Sequence, residues 1–253
     1  PISTHHVSSA ASDVYKRQNM DRVEMLKQQA GIEACMYVKN GMKVGLGTGS
    51  TVKHTVIELG RRIHDEGLEI VGVPTSLATE KLAQKVGIPL LELSECSHLD
   101  IVIDGADEVD GNFNLIKGGG AALLREKIVA QESLAMVVVA DDRKMVDVLG
   151  AFPLPIEITP FAHQSTIKQL GNLLDCRVNC RMSGDNPVIT DNGNYIADAH
   201  CGPTIDDPVN LEGMILKIAG VVQVGLFNKM CDVVVLASDS GVEILTNPMG
   251  RLT

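Results

Sequence analysis

Leu134 to Ala140 reads L-A-M-V-V-V-A, an unbroken apolar run that leads straight into Asp141-Asp142-Arg143-Lys144. A strand with no polar alternation must be covered on both faces, and strands of that kind belong to parallel sheets sandwiched between helices. Asp100 to Ile103 repeats the pattern, with Asp104 at its carboxyl end. Shorter segments at Met42–Leu46, Glu69–Val73, Pro89–Leu93 and Leu115–Ile116 extend the series. Between them lie helical periods. Val23, Leu26, Ala30 and Ala34 keep helical spacing from Asp21 to Val38, where Asn40-Gly41 supplies a stop. A second helix runs to about Arg62, a third from a Ser76 N-cap through Val86 to Gly87, and a fourth from Ala121 to about Glu132. This alternation predicts an α/β fold with a mostly parallel, Rossmann-like sheet, whose ligands sit outside the carboxyl ends of the strands. The loops at Gly47, Thr75, Asp104 and Lys144 all fall on that rim.

The pattern changes at Phe152-Pro153-Leu154-Pro155. Beyond it the sequence predicts a helix (Phe161–Leu174), a strand (Arg177–Met182) and a hairpin of Pro187–Thr190 with Tyr195–Ala199. Asn192-Gly193 at the tip signals a type I′ turn. Helix Pro208–Ile218 and strand Val221–Phe227 complete an α-β-β-β-α-β unit, a smaller inserted α+β (ferredoxin-like) domain. Asp232–Ala237 and Val242–Leu245 read as strands returning to the first sheet. The expected division is a Rossmann-like catalytic domain over 20–152 and 229–253, with the small domain over 153–228. Residues 1–19 carry neither an apolar signal core nor a helical period and are expected to be a disordered or non-native leader.

A net charge of −10 argues against a general nucleic-acid or anionic-membrane binder, so any anionic ligand needs a locally positive site. No apolar run approaches the ~18 residues of a membrane span. Cys35, Cys96, Cys176, Cys180, Cys201 and Cys231 are scattered without C-x-x-C, as in reduced, cytoplasmic proteins. Cys176, Cys180, His200 and Cys201 lack zinc-ligand spacing and are expected to be idle or buried side chains.

G-L-G-T-G-S-T (45–51) stands between a strand and a helix, where free N–H groups and a helix N-terminus suit phosphate. A dinucleotide fingerprint would need glycine where Ser50 stands, and no acidic residue closes the Glu69–Val73 strand. Thr48, Ser50 and Thr51 add hydroxyls that favour phosphate. Lys117 precedes Gly118-Gly119-Gly120, which permit close backbone approach and can aim N–H groups with an ammonium at an oxyanion. On the following helix, Glu126 has Ala122, Leu123, Val129 and Ala130 as its neighbours one turn away, so poor solvation should raise its pKa toward that of a useful base. A helix-flank glutamate paired with Arg125 or Lys127 fits the residues equally well. Asp104, Asp107 and Asp110 are spaced by three but lack the alternation of a calcium loop, and Asp104-Gly105 also suits a plain strand end. The histidines follow no ligand or triad spacing.

Together, G-L-G-T-G-S-T, D-G-A-D-E, I-K-G-G-G-A-A-L-L-R-E-K, A-D-D-R-K and F-P-L-P-I-E, in this order, resemble the ribose-5-phosphate isomerase family, type A. T-D-N-G-N and G-V-V-Q-V-G-L-F carry the likeness toward the C-terminus, so that it covers Met20 to about Thr246. The resemblance implies interconversion of ribose 5-phosphate and ribulose 5-phosphate in the pentose phosphate pathway, with no metal or organic cofactor. It implies Glu126 as the base working through a cis-enediolate, and Asp104, with Asp107 beside it, as the carboxylate for ring opening and hydroxyl proton transfer. Lys117 and the Gly118–Gly120 amides would steady the enediolate. Thr48, Gly49, Ser50, Thr51, Lys27 and Lys144 would hold phosphate and sugar, with Gly105 and Ala106 lining the same site. It also implies a homodimer or homotetramer. A sugar-phosphate sensor and an amino-sugar-phosphate deaminase are the competing readings. The first would normally carry a DNA-binding helix-turn-helix, and the second fits K-G-G-G with R-E-K less well.

Overall fold

The computed structural model describes residues 9–252. Its helices are α1 (Ser9–Glu33), α2 (Val52–Glu66), α3 (Leu77–Lys85), α4 (Leu123–Gln131), α5 (His163–Leu174) and α6 (Pro208–Ile215). The first strands are β1 (Lys43–Leu46), β2 (Val71–Pro74), β3 (Ile101–Gly105), β4 (Glu108–Val109), β5 (Leu115–Ile116) and β6 (Met136–Asp141). There follow β7 (Leu154–Ile158), β8 (Arg177–Cys180), β9 (Met182–Ser183), β10 (Asn186–Pro187) and β11 (Tyr195–His200). The last are β12 (Val221–Val224), β13 (Leu226–Phe227), β14 (Val233–Ser238) and β15 (Gly241–Thr246).

The central sheet runs β15-β14-β6-β3-β1-β2, and every pairing is parallel except β14 with β15. Because strand side chains alternate faces, Ile101, Ile103, Val137 and Val139 pack with Leu26 and Ala30 of α1 and Val56 and Leu59 of α2. Val102, Met136 and Val138 turn the other way, onto Val129 and Ala130 of α4 and onto Phe227. All six residues of β6 are buried, as its unbroken apolar run requires. Each such Val, Leu or Ile contributes roughly 1.5–3 kcal/mol by leaving water.

A second sheet, β12-β7-β11-β8, is wholly antiparallel and packs Ile156, Ile158, Ala197 and Val224 against Leu170 of α5 and Ile215 of α6. The short antiparallel set β13-β5-β4 joins the two sheets.

Several elements differ from the sequence expectation. Strand β7 was missed, because prolines at 153 and 155 argue for a break. Pro155 is accommodated by giving the ladder only its carbonyl, which accepts the Gly225 N–H at 2.7 Å. The order beyond the boundary is therefore β-α-β-β-α-β, with the small β9–β10 pair between β8 and β11. Pro89–Leu93 forms only an isolated bridge, Gly72 to Leu90. The Asn192-Gly193 tip is not a type I′ turn. Gly193 alone has positive φ, its N–H donates to Thr190 O, and Thr190 N–H donates to Asn194 O, which makes a type I turn with a glycine bulge. The fourth helix starts at Leu123 because Ala121 sits at φ 58°. Helix α1 continues back to Ser9, into the segment expected to be a leader. No proline or glycine stands between Ser9 and Met20 to stop a helix already anchored by Leu26 and Ala30. Residues 1–8 lie outside the described residues.

Candidate active site

At the carboxyl edge of β1 and β3 the backbones come very close. A Cβ on Gly47 would lie 2.2 Å from Asp104 Oδ1, so any side chain there forces the backbone or Asp104 to move. Asp104 is fully buried, and its Oδ1 accepts the N–H groups of Thr48 (3.0 Å) and Gly105 (2.8 Å). Lys117, only 2% exposed, sets its Nζ 3.0 Å from Asp104 Oδ2 and 3.4 Å from Glu126 Oε1, and donates to Gly105 O at 2.5 Å. The approach to Asp104 Oδ2 is an ion pair rather than an aligned hydrogen bond. Phe227 closes the far side of the ammonium, its ring centre 5.3 Å away.

Glu126 is 3% exposed, and its Oε2 has no hydrogen-bond partner among the described residues. Burial pushes its carboxyl up to about 8; Lys117 pulls the other way, while Asp104 and Asp107 add to the rise. Burial also raises Asp104, against Lys117 and the two N–H groups. For Lys117, burial opposes the charge, but Asp104 and Glu126 outweigh it and hold the ammonium above its ordinary value. Two carboxylates thus share one cation, and burial raises both above their ordinary range.

The pairing of Glu126 with Arg125 or Lys127 is not formed. Arg125 reaches out to Asn192 Oδ1 (2.9 Å) and Asp191 O (2.9 Å). Lys127 is buried against Glu212 and Gln223 and the carbonyls of Val224 and Leu226.

Thr48, Gly49, Ser50, Thr51, Gly105, Ala106, Asp107, Lys117, Gly118, Gly119, Gly120, Glu126, Lys27 and Lys144 all line one cavity of about 280 Å³. Asp104 is the one expected residue that does not; it lies beneath the floor. Sequence reasoning missed Arg143, which lines the cavity while paired with Asp141 at 2.6 Å, because nothing in A-D-D-R-K separates it from Lys144.

Two expected donors are already engaged. The Thr48 hydroxyl turns inward to Thr75, Ser76 and Thr79 (2.7, 2.8 and 3.2 Å). The Gly119 N–H is taken by Asp107 Oδ2 at 2.7 Å. Among the described residues, the N–H groups of Gly49, Ser50, Thr51, Val52 and Gly120 have no partner within the protein, and the first four open the α2 N-terminus. That cluster and its helix dipole suit an anion.

Asp110 faces away from this cluster, bonding the Asn112 and Asn114 N–H groups (2.8 Å each). Among the described residues no group of three His, Cys, Asp or Glu converges as metal ligands would, and no helix is long and apolar enough to cross a membrane. A larger groove of about 500 Å³ beside α3 and α4 is lined by Glu80, Glu92, Glu95 and Arg125, none of them buried.

A parallel α/β sheet carrying a buried, poorly ionised carboxyl, an ammonium and an anion cradle on one rim holds the groups that an enzyme needs to move a proton on an anionic substrate. The comparisons narrow that class to an isomerase. A family model for ribose 5-phosphate isomerase A (phosphoriboisomerase A) matches residues 71–241. Ribose-5-phosphate isomerase A of Bifidobacterium adolescentis is 46% identical over 231 residues, covering 90% of this chain and 99% of that one. The solved ribose 5-phosphate isomerase A of Methanocaldococcus jannaschii is 42% identical, with a TM-score of 0.84 over 88% of this chain and 99% of that one. A solved D-ribose-5-phosphate isomerase in complex with phospho-erythronic acid is 41% identical, with a TM-score of 0.85 and the same coverage. The chain belongs to the ribose 5-phosphate isomerase A family.

Proposed function

We propose that this protein interconverts D-ribose 5-phosphate and D-ribulose 5-phosphate, in the non-oxidative branch of the pentose phosphate pathway, through a cis-enediolate. The observation that carries the reading is Glu126, buried, raised to about 8 and unpartnered at Oε2 among the described residues, beside the cavity that the cation and free amides share. The α2 N-terminus holds the phosphate through the N–H groups of Gly49, Ser50 and Thr51, with Lys27 and Lys144 at the rim. Ionised Glu126 removes the proton from C2 of the open-chain aldose. The electron pair moves to the C1 carbonyl oxygen, which Lys117 and the Gly120 N–H stabilise, and Glu126 returns the proton to C1. Asp107, which lines the cavity, moves the hydroxyl protons and opens the ring. Asp104, beneath the floor, fixes Lys117. Phospho-erythronic acid, found in the related structure, carries a planar carboxylate and a phosphate, the charges an enediolate phosphate presents.

The reading extends to three further points. No metal or organic cofactor takes part, since Lys117 and the amide donors supply the charge the enediolate needs; activity should survive exhaustive chelation. Residues 153–228 form an inserted α+β domain within the domain of 20–152 and 229–253. The protein works in the cytoplasm as a homodimer or homotetramer, which light scattering on the purified protein would test.

The deciding experiment is incubation with ribose 5-phosphate in heavy water, followed by NMR. Exchange of the C2 proton accompanied by ribulose 5-phosphate is expected. Binding without exchange would make the protein a sugar-phosphate sensor instead.

A further inference from the structure

The Gly118–Gly120 turn can serve an enediolate only if its peptide planes are held; its own Ala121 N–H donates to Gly118 O at 3.0 Å, and a second brace comes from the other sheet. Arg181 follows β8, and its Nη1 donates to Gly118 O at 2.9 Å and to Gly119 O at 3.0 Å. The guanidinium is itself fixed by a two-pronged pair with Asp198 on β11, Nε to Oδ2 at 2.8 Å and Nη2 to Oδ1 at 2.5 Å. Its backbone is tied down as well, donating to Ile196 O and accepting from Val188 N–H. No residue in this set lies in the cavity lining except the glycines.

A trans peptide points its C=O and the following N–H in opposite directions. Pinning Gly118 O therefore turns the Gly119 N–H away from Arg181, to where it meets Asp107 Oδ2 at 2.7 Å. Pinning Gly119 O likewise turns the Gly120 N–H away from Arg181, toward the cavity that Gly120 lines. Gly118 itself sits at φ 109°, and three consecutive glycines have little intrinsic preference for one arrangement. We infer that Arg181 is a positioning residue, braced by Asp198, that sets the glycine turn so that the Gly120 N–H faces the enediolate and the Gly119 N–H orients Asp107. The inference rests on the isomerase reading of the cavity.

The test compares steady-state kinetics of the full-length parent, Arg181→Met and Arg181→Lys with ribose 5-phosphate. Loss of one oxyanion donor typically costs about 10²–10³ in kcat. Arg181→Met should lose roughly ten- to a hundredfold in kcat, since the turn keeps some productive population, with KM within about twofold because the α2 cradle is untouched. Arg181→Lys, which keeps a charge but not the fork, should fall in between and carries the test if the methionine variant does not fold. Added guanidinium ion should recover part of the Arg181→Met loss. An active parent beside unimpaired kcat in the variants, or a loss seen in KM alone, would overturn this inference. A parent that turns over no ribose 5-phosphate would remove the isomerase reading and this inference with it.

Discussion

Lys117 Nζ stands 3.4 Å from Glu126 Oε1, while the other oxygen of Glu126 has no hydrogen-bond partner among the described residues. One half of the carboxyl is anchored and the other is free to accept a proton. Glu126→Gln keeps the shape and the contact with Lys117 but cannot take a proton. It should bind ribose 5-phosphate with nearly unchanged affinity and lose kcat by several orders of magnitude. Turnover within tenfold of the parent would move the base elsewhere.

The raised carboxyl sets a pH dependence. A base acts when ionised, so kcat/KM should climb with pH and level off above about 8, with about a tenth of the plateau at pH 7. Stability runs the opposite way. The folded-state value lies above the ordinary value of 4.5, so between the two the folded protein holds a proton that the unfolded chain has released. Glu126 therefore lowers stability progressively over that window, by about 1.4 kcal/mol per pH unit at most. Glu126→Gln removes the penalty. Denaturant midpoints should show the variant gaining on the parent as pH rises from 4.5 to 8; a constant difference would mean the carboxyl is not buried as described.

Lys117 compensates two buried carboxylates at once. Lys117→Met would leave Asp104 and Glu126 facing each other without a cation, and breaking one side of a buried pair costs about 3–5 kcal/mol. The variant should be inactive and markedly destabilised at pH 8, and should recover stability as the pH falls and the carboxyls protonate. Urea unfolding at both pH values distinguishes this from a simple packing defect, which would be insensitive to pH.

Much of this site is legible in the sequence because each part has local chemistry. The apolar runs of β3 and β6 force a parallel sheet, that sheet gathers its loops on one rim, and Lys117, Glu126 and the 48–51 loop arrive there by chain order. What stayed hidden depends on partners distant in sequence. Nothing near Glu126 says that its cation is Lys117 and not Arg125 or Lys127. The burial of Lys127 depends on acceptors from α6, β12 and β13. The Thr48 hydroxyl reads as a phosphate ligand until α3 brings Ser76 and Thr79 beside it. Strand β7 was obscured for a different reason, since Pro155 breaks a general rule that one spare carbonyl satisfies.

Lys144 lies on the cavity rim with its Nζ 5.9 Å from the Phe152 ring. Among the described residues it forms no ion pair with Asp104 or Glu126, which are held by Lys117, and its charge suits the dianionic phosphate. Lys144→Ala should raise KM several-fold with a smaller change in kcat, and raised ionic strength should mimic the effect in the parent. An unchanged KM would remove Lys144 from the phosphate set.

Gly47 offers a test that touches no charged group. Its hydrogen stands where a Cβ would lie 2.2 Å from Asp104 Oδ1 and 2.6 Å from the Asp104 backbone, so a methyl cannot be absorbed by a flexible side chain. Gly47→Ala must push β1 and β3 apart or drive Asp104 off the Thr48 and Gly105 N–H groups, and overpacking of this kind typically costs about 1–3 kcal/mol. Because Asp104 fixes Lys117, the displacement should reach the oxyanion site. The expected outcome is a folded but destabilised protein whose kcat falls at least tenfold, with the heavy-water exchange at C2 slowed in step. Loss of stability with full kcat would show that Asp104 can move without disturbing Lys117, and would detach it from the catalytic group.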